Sequence, residues 1–315
     1  MALNIEGDLY RSLNKLHSTN LSNKYWKIIL GHWLNRFVKI VYFRHNVLEN
    51  CLKEKKKFDI VYSSKDLDYS QYISNTSDIW LASINNEWNF NLFSKILNKC
   101  FSNDLEIKFV NTINSNFVPK INNKINTKKE FFKIKFQKFL SFFNYLGHNN
   151  KIVFKNTYLS FFNEIYLSFL NGEFPTFLTN LNYSKNNIDY NLRKKIEIKK
   201  ENCCNFEKLV RDLLSDALPS IVVEDYEKVI NKISKSNWPK NPKLIFTSNS
   251  FDGDDIFKVW AAENIEINNS KYVIGQHGLF DSSEKLLKNS NDYQTCDNYL
   301  RWGQKNMIRI LNFLT

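Results

Sequence analysis

Glycine and proline are scarce in this chain of 315 residues, at 8 and 5, and so little punctuation excludes an all-β protein built from many short strands. Cysteine is sparse too. Cys51, Cys100, Cys203, Cys204 and Cys296 form no CxxC pair and are odd in number, which argues against a disulfide framework and a zinc site and fits a reducing compartment. No stretch reaches the roughly 20 uninterrupted apolar residues of a membrane span. FFKIKFQKFLSFFNYLG (131–147) comes nearest, but Lys133, Lys135 and Lys138 interrupt it. It reads as a core-facing helix, or as an amphipathic helix in peripheral contact with a membrane. The opening MALNIEGDLYRSLNKLH carries charges throughout and has no apolar core, so it does not read as a secretory signal; the expected location is cytoplasmic. Neither GxxxxGK[ST] nor GxGxxG occurs, which argues against a kinase or sulfotransferase with a phosphate loop.

Hydrophobic residues make up 43% and aromatics 15%, too much apolar material for disorder. The length allows one large domain or two, at roughly 100 to 200 residues each. The net charge is +12, which invites an anionic partner. The chain is also crowded with Asn, Lys, Ile and Phe, residues of AT-rich codons, so the excess of lysine has a bland explanation. No helix-turn-helix, RRM or zinc signature accompanies it, and the lysines are dispersed.

Residues 21–57 carry apolar positions at spacings of three and four, with Ser22 as N-cap and a lysine run at the far end, and predict one or two helices. FDIVYS (58–63), EIKFVN (106–111) and KIVFKN (151–156) are apolar, β-branched runs of strand length, separated by helical segments near 87–100, 128–146 and 158–171. Strands alternating with helices imply parallel βαβ units, hence an α/β class with a Rossmann-like parallel sheet. Residues 173–242 read as a helical excursion and linker, with NFEKLVRDLLSDAL and VVEDYEKVINKISK broken at Pro219. The segment 243–315 resumes the pattern: strand 243–248, loop NSFDGD, helix, strand 271–275, polar loop and strand 298–302. It is expected to complete the domain begun by 1–172.

The strand 271–275 runs into Gln276, His277 and Gly278. In open α/β sheets ligands bind beyond the carboxyl ends of the strands, so polar residues there have a purpose. An imidazole can act as base, neutral donor or cation, and glycine permits a sharp turn. The alternative is that His277 satisfies a loop carbonyl and Gly278 turns the chain. In the neighbouring loop Asn249 and Asp252 are candidate ligands of sugar hydroxyls, while Asp254 suits an N-cap. Trp302 is a core residue or a stacking face. Tyr25, Trp26 and Trp33 fit a core; His45 and His148 have no constellation around them.

LNKLHSTNLSNKYWKIILGHWL, KVWAAE, GQHG and DNYLRWGQ, in that order, resemble the LIC12162-type transferases of bacterial surface-polysaccharide loci. That family resembles GT-B glycosyltransferases and capsule and glycerophosphate polymerases, in which a QHG or WHG strand end lines an interdomain cleft. The resemblance implies a glycosyltransferase-like enzyme using a nucleotide-activated sugar as substrate, no tightly bound cofactor and no metal. The acceptor would be a glycan or a lipid-linked glycan at the inner membrane. His277 is then the catalytic candidate, with Gln276, Gly278, Asn249, Asp252 and His17 as substrate-binding candidates. The chain departs from the family where LFDSSEK replaces a glycine-rich loop. It resembles the N-terminal half of a GT-B fold, with a donor domain expected beyond Thr315. The rival readings are a non-catalytic remnant and a basic nucleic-acid-binding protein. Dispersed lysines predict no tight duplex binding, and a gel-shift assay over a salt series checks this: binding with a steep salt slope would overturn it.

Overall fold

The computed structural model describes residues 5–54, 73–101, 146, 149–176, 178, 181, 183–199, 203–278 and 287–301. The strands expected at 58–63 and 106–111, the segments 128–145 and 279–286, His148 and Trp302 lie outside these residues. In chain order the elements are α1 (Glu6–Leu16), α2 (Asn23–Glu54), α3 (Asp78–Ile84), α4 (Asn86–Cys100), β1 (Ile152–Lys155), α5 (Phe161–Leu170) and α6 (Tyr190–Arg193). There follow α7 (Asn205–Ala217), a 3-10 turn (Ser220–Val222), α8 (Tyr226–Ser234), β2 (Leu244–Thr247), α9 (Ser250–Gly253), α10 (Asp255–Asn268), β3 (Lys271–Gly275), α11 (Asn291–Thr295) and β4 (Asn298–Leu300).

The described strands form one parallel sheet in the order β1-β2-β3-β4. Ile152 pairs with Leu244, Leu244 with Lys271 and Val273 with Asn298. Parallel neighbours need a crossover, and α9 with α10 supplies it between β2 and β3, while α11 lies in the described part of the connection between β3 and β4. β3 reads as a continuous apolar run because Tyr272, Val273, Ile274 and Gly275 are all buried. The class is therefore α/β with a Rossmann-like parallel sheet, as the alternation of the sequence predicts.

Two compact units divide the chain. One comprises residues 1–20, 30–122 and 185–226, and the other, which holds the sheet, 21–29, 123–184 and 227–315. The first unit is helical where described. Its buried Arg211 pairs with Glu207 of the same helix at 2.6 Å and with Asp8 of α1 at 2.5 Å. Burial alone would raise the Asp8 carboxyl, but hydrogen bonds from Arg211 and Arg11 hold it below its ordinary range. The helix expected through VVEDYEKVINKISK begins only at Tyr226, because Asp225 is committed elsewhere. Its carboxylate accepts from Asn186 N at 2.6 Å and Ser220 Oγ at 2.8 Å, which folds 220–225 into tight turns instead.

In the sheet unit, α10 is buried nearly all round. Asp254 caps it by accepting from Phe257 N at 3.1 Å, and Trp260 Nε1 donates to Pro239 O at 3.0 Å. Lys258 is wholly buried, paired with Asp255 at 2.6 Å and donating to Asp252 O at 3.1 Å. NSFDGD, expected as a loop, contains the single-turn helix α9, started by Thr247 Oγ1 accepting from Ser250 N at 3.0 Å. At the end of β3 the strands approach so closely that a Cβ on Gly275 would lie 2.2 Å from Ser248 Oγ.

Two stability predictions follow from this unit. Gly275→Ala is expected to destabilise by about 1 to 3 kcal/mol through overpacking, and adding Ser248→Gly, which removes the obstructing atoms, to recover part of the loss. Urea denaturation of the single and double variants checks this; additive losses would count against it. On α10 the Glu263 carboxyl is pushed up to about 7 by burial, with Lys240 opposing. The folded state therefore favours its protonated form, so stability present below the ordinary value of 4.5 is lost as pH rises through about 7. Glu263→Gln should melt with the wild type at pH 4 and above it at pH 8, in paired thermal melts.

Candidate active site

Because all the described strands run the same way, their carboxyl ends share one edge of the sheet. Four loops leave from there: 156–160 after β1, 248–249 after β2, 276–278 after β3 and Arg301 after β4. Side chains of the first two lock together. Ser248 N donates to Asn156 O at 3.0 Å and Ser248 Oγ to Thr157 O at 3.1 Å. Asn156 Nδ2 donates to Ser250 Oγ at 2.8 Å, and Thr157 Oγ1 to Glu164 Oε1 of α5 at 2.5 Å.

These bonds hold a backbone that does not relax on its own. Asn156 and Tyr158 have φ of 50° and 63°. Asparagine tolerates the left-handed region, but there tyrosine costs on the order of 1 to 2 kcal/mol. Such strain persists where the surroundings over-determine it, and it clusters at functional sites.

Tyr158 is held against His277. Its hydroxyl is hydrogen-bonded to His277 Nδ1, and the two rings stack with centroids 5.5 Å apart and planes 17° from parallel. Phe251 of α9 meets the imidazole edge-on at 6.4 Å. His277 is exposed, so solvent and solutes reach it. Gln276 N donates to Leu300 O at 2.7 Å, tying the loop to β4, and the Gln276 side chain donates to Gly278 O at 3.0 Å, closing the turn beneath the imidazole. Gly278 has φ of 71°, with nothing within 4 Å of where a Cβ would stand. Backbone conformation rather than space is what calls for glycine there.

Lys155, at the end of β1, donates to Leu178 O at 2.8 Å and lies 3.8 Å from the Asp254 carboxylate. Burial drives its amine below the ordinary lysine range, with Asp254 and Glu164 opposing. Asn249 is exposed at the start of α9, where its side chain makes no cap bond, and Asp252 is half-buried within α9. The edge thus gathers Asn249, Asp252, Gln276, His277 and Gly278 on adjacent strand ends. His17 belongs to the other unit. It ends α1, its Nε2 lies 2.9 Å from Val222 O, and its ring packs on Tyr226 at 4.4 Å, the contacts of a helix-end histidine. Among the described residues no cluster of three or more His, Cys, Asp or Glu is arranged to hold a metal ion.

Tyr158, Asn156 and Lys155 are the residues sequence reasoning missed. KIVFKN reads as a strand and the segment from 158 as a helix, so the turn between them looks like punctuation. Only the pairing of β1 with β2 shows that it reaches the loop after β3.

Comparison with curated proteins and with solved structures finds no match. The family described as LIC12162 family transferase matches residues 5–313, and the chain belongs to that family.

Proposed function

We propose that this transferase moves a glycosyl group from a nucleotide-activated sugar to a hydroxyl of a surface-glycan acceptor, free or lipid-linked, in bacterial surface polysaccharide biosynthesis. The observation that carries the reading is an exposed imidazole at the carboxyl end of an inner parallel strand, in a family of transferases. In the step envisaged, His277 takes the proton of the acceptor hydroxyl as that oxygen bonds to the anomeric carbon. The bond from that carbon to the diphosphate breaks, and the nucleoside diphosphate leaves with the electron pair.

In a GT-B arrangement the donor diphosphate is held by a second α/β domain, so the sheet described here supplies the acceptor side. Asn249, Asp252 and Gln276 are the polar groups proposed to meet acceptor hydroxyls, with Gly278 letting the backbone approach. Arg301, immediately after β4, is a cation on the same edge that suits the departing diphosphate. His17, which is engaged with Val222 and Tyr226, is proposed as structural. The reaction is proposed to occur in the cytoplasm, where nucleotide sugars are available. Among the described residues no helix is long and apolar enough to cross a membrane.

His277→Ala is expected to lower turnover about 100-fold, the lower end of what general acid–base catalysis contributes, with an unchanged melting temperature because the side chain is exposed. His277→Gln should be nearly as inactive, since an amide hydrogen-bonds but takes no proton. Transfer assays and thermal melts on both variants test this. Full activity in His277→Ala would sink the base assignment.

A further inference from the structure

We infer that Tyr158 is a positioning residue that sets which nitrogen of His277 carries the proton: its hydroxyl oxygen accepts from Nδ1–H, leaving Nε2 with a free lone pair. The inference rests on the reading of His277 as a base. A neutral imidazole has one N–H, and the hydrogen bond made by one nitrogen fixes the state of the other. Tyr158 engages Nδ1, so Nε2 is the nitrogen left to face a substrate. If the hydroxyl donated instead, Nε2 would hold the ring proton and the site would contain a donor but no base.

The surroundings fit the accepting role. Tyr158 is 49% exposed, so its own O–H donates to solvent while a lone pair meets the imidazole. Stacking fixes the plane of the imidazole and the Nδ1 contact fixes its rotation, so Nε2 has one direction in which to point. The left-handed backbone of Tyr158 is maintained by bonds from Ser248 and to Glu164 on the adjoining Thr157, which fixes the point from which the phenol projects. When Nε2 takes a proton, Nδ1–H becomes an imidazolium donor and its bond to the phenol oxygen strengthens. The neighbour therefore stabilises the state formed during transfer more than the resting state.

The test compares the wild type with Tyr158→Phe, which keeps the ring and its stacking and removes only the oxygen. Two-bond proton–nitrogen correlation spectra of labelled protein report which imidazole nitrogen is protonated, with no substrate or turnover needed. The expected result is an Nδ1–H tautomer in the wild type and the Nε2–H form, commoner in water, in Tyr158→Phe. In transfer assays Tyr158→Phe should lower kcat about tenfold, a fraction of the whole contribution of a general base, with little change in KM. The acid limb of its pH–rate profile should move to lower pH, because the imidazolium has lost an acceptor. An Nε2–H tautomer in the wild type, a spectrum unaltered by the substitution, or an acid limb that stays or moves to higher pH would overturn the inference. Full transfer by His277→Ala would instead remove the base reading and leave the tautomer result standing by itself, so the two failures are separable.

Discussion

The close approach of Ser248 to Gly275 is the constraint on which the strand-end arrangement depends. Parallel pairing aligns β2 with β3 residue by residue as far as Thr247 and Ile274, and one residue further on Ser248 leaves no room for a side chain at Gly275. Because Gly275 has none, Ser248 lies over the end of β3 and still reaches back to the carbonyl of Thr157. One hydroxyl thus joins the ends of three strands. The loops after β1 and β3 are brought together by this joint, although 119 residues separate the two that touch.

What the joint holds is not the most relaxed form of the chain. Two left-handed residues flank Thr157, and each bond that fixes them comes from another element: Ser248 and Ser250 after β2, Glu164 on α5. A turn whose only task was to reverse the chain would use glycine at such φ values. Placing a tyrosine there, half exposed and stacked on an exposed histidine, spends stability on aiming a phenol. That pattern belongs to sites where geometry is held against local preference.

The fold was legible wherever one residue type acts through its own neighbours. Strand-length runs, β-branched in KIVFKN, KLIFTS and KYVIG and aromatic in NYLRW, announced β1 to β4, Ser22 and Asp254 cap the helices they were expected to cap, and Tyr25, Trp26 and Trp33 are buried. Reading failed where a long-range partner decides. Asp225 looks like an ordinary early residue of a helix until Asn186 and Ser220 claim its carboxylate. Likewise, nothing local marks Tyr158, since its importance lies in a partner contributed by another strand. Gln276, His277 and Gly278 were visible for a third reason: polar residues after a buried strand contradict its pattern, and a contradiction can be seen without knowing its partners.

The family resemblance can be divided by the same physics. Ser22 of the opening motif accepts from Tyr25 N, and its own N–H and hydroxyl donate to the Glu266 carboxylate on α10 at 2.8 and 2.6 Å. Lys24 pairs at 2.9 Å with Asp297, the first residue of DNYLRWGQ, whose other carboxylate oxygen accepts from Tyr272 N at 2.7 Å. KVWAAE contributes the buried Lys258, fastened to Asp255 and Asp252, and Trp260, fastened to Pro239. These are brackets. Lys24 and Asp297 are partly exposed, so their charge attraction is screened and worth little by itself. Their use is to register distant segments against the sheet edge. GQHG differs, because its glycines have distinct backbone and steric reasons and its imidazole is exposed, with Nδ1 hydrogen-bonded to Tyr158. The other three motifs are thus tied into the sheet unit, whereas GQHG presents an exposed imidazole at a strand end.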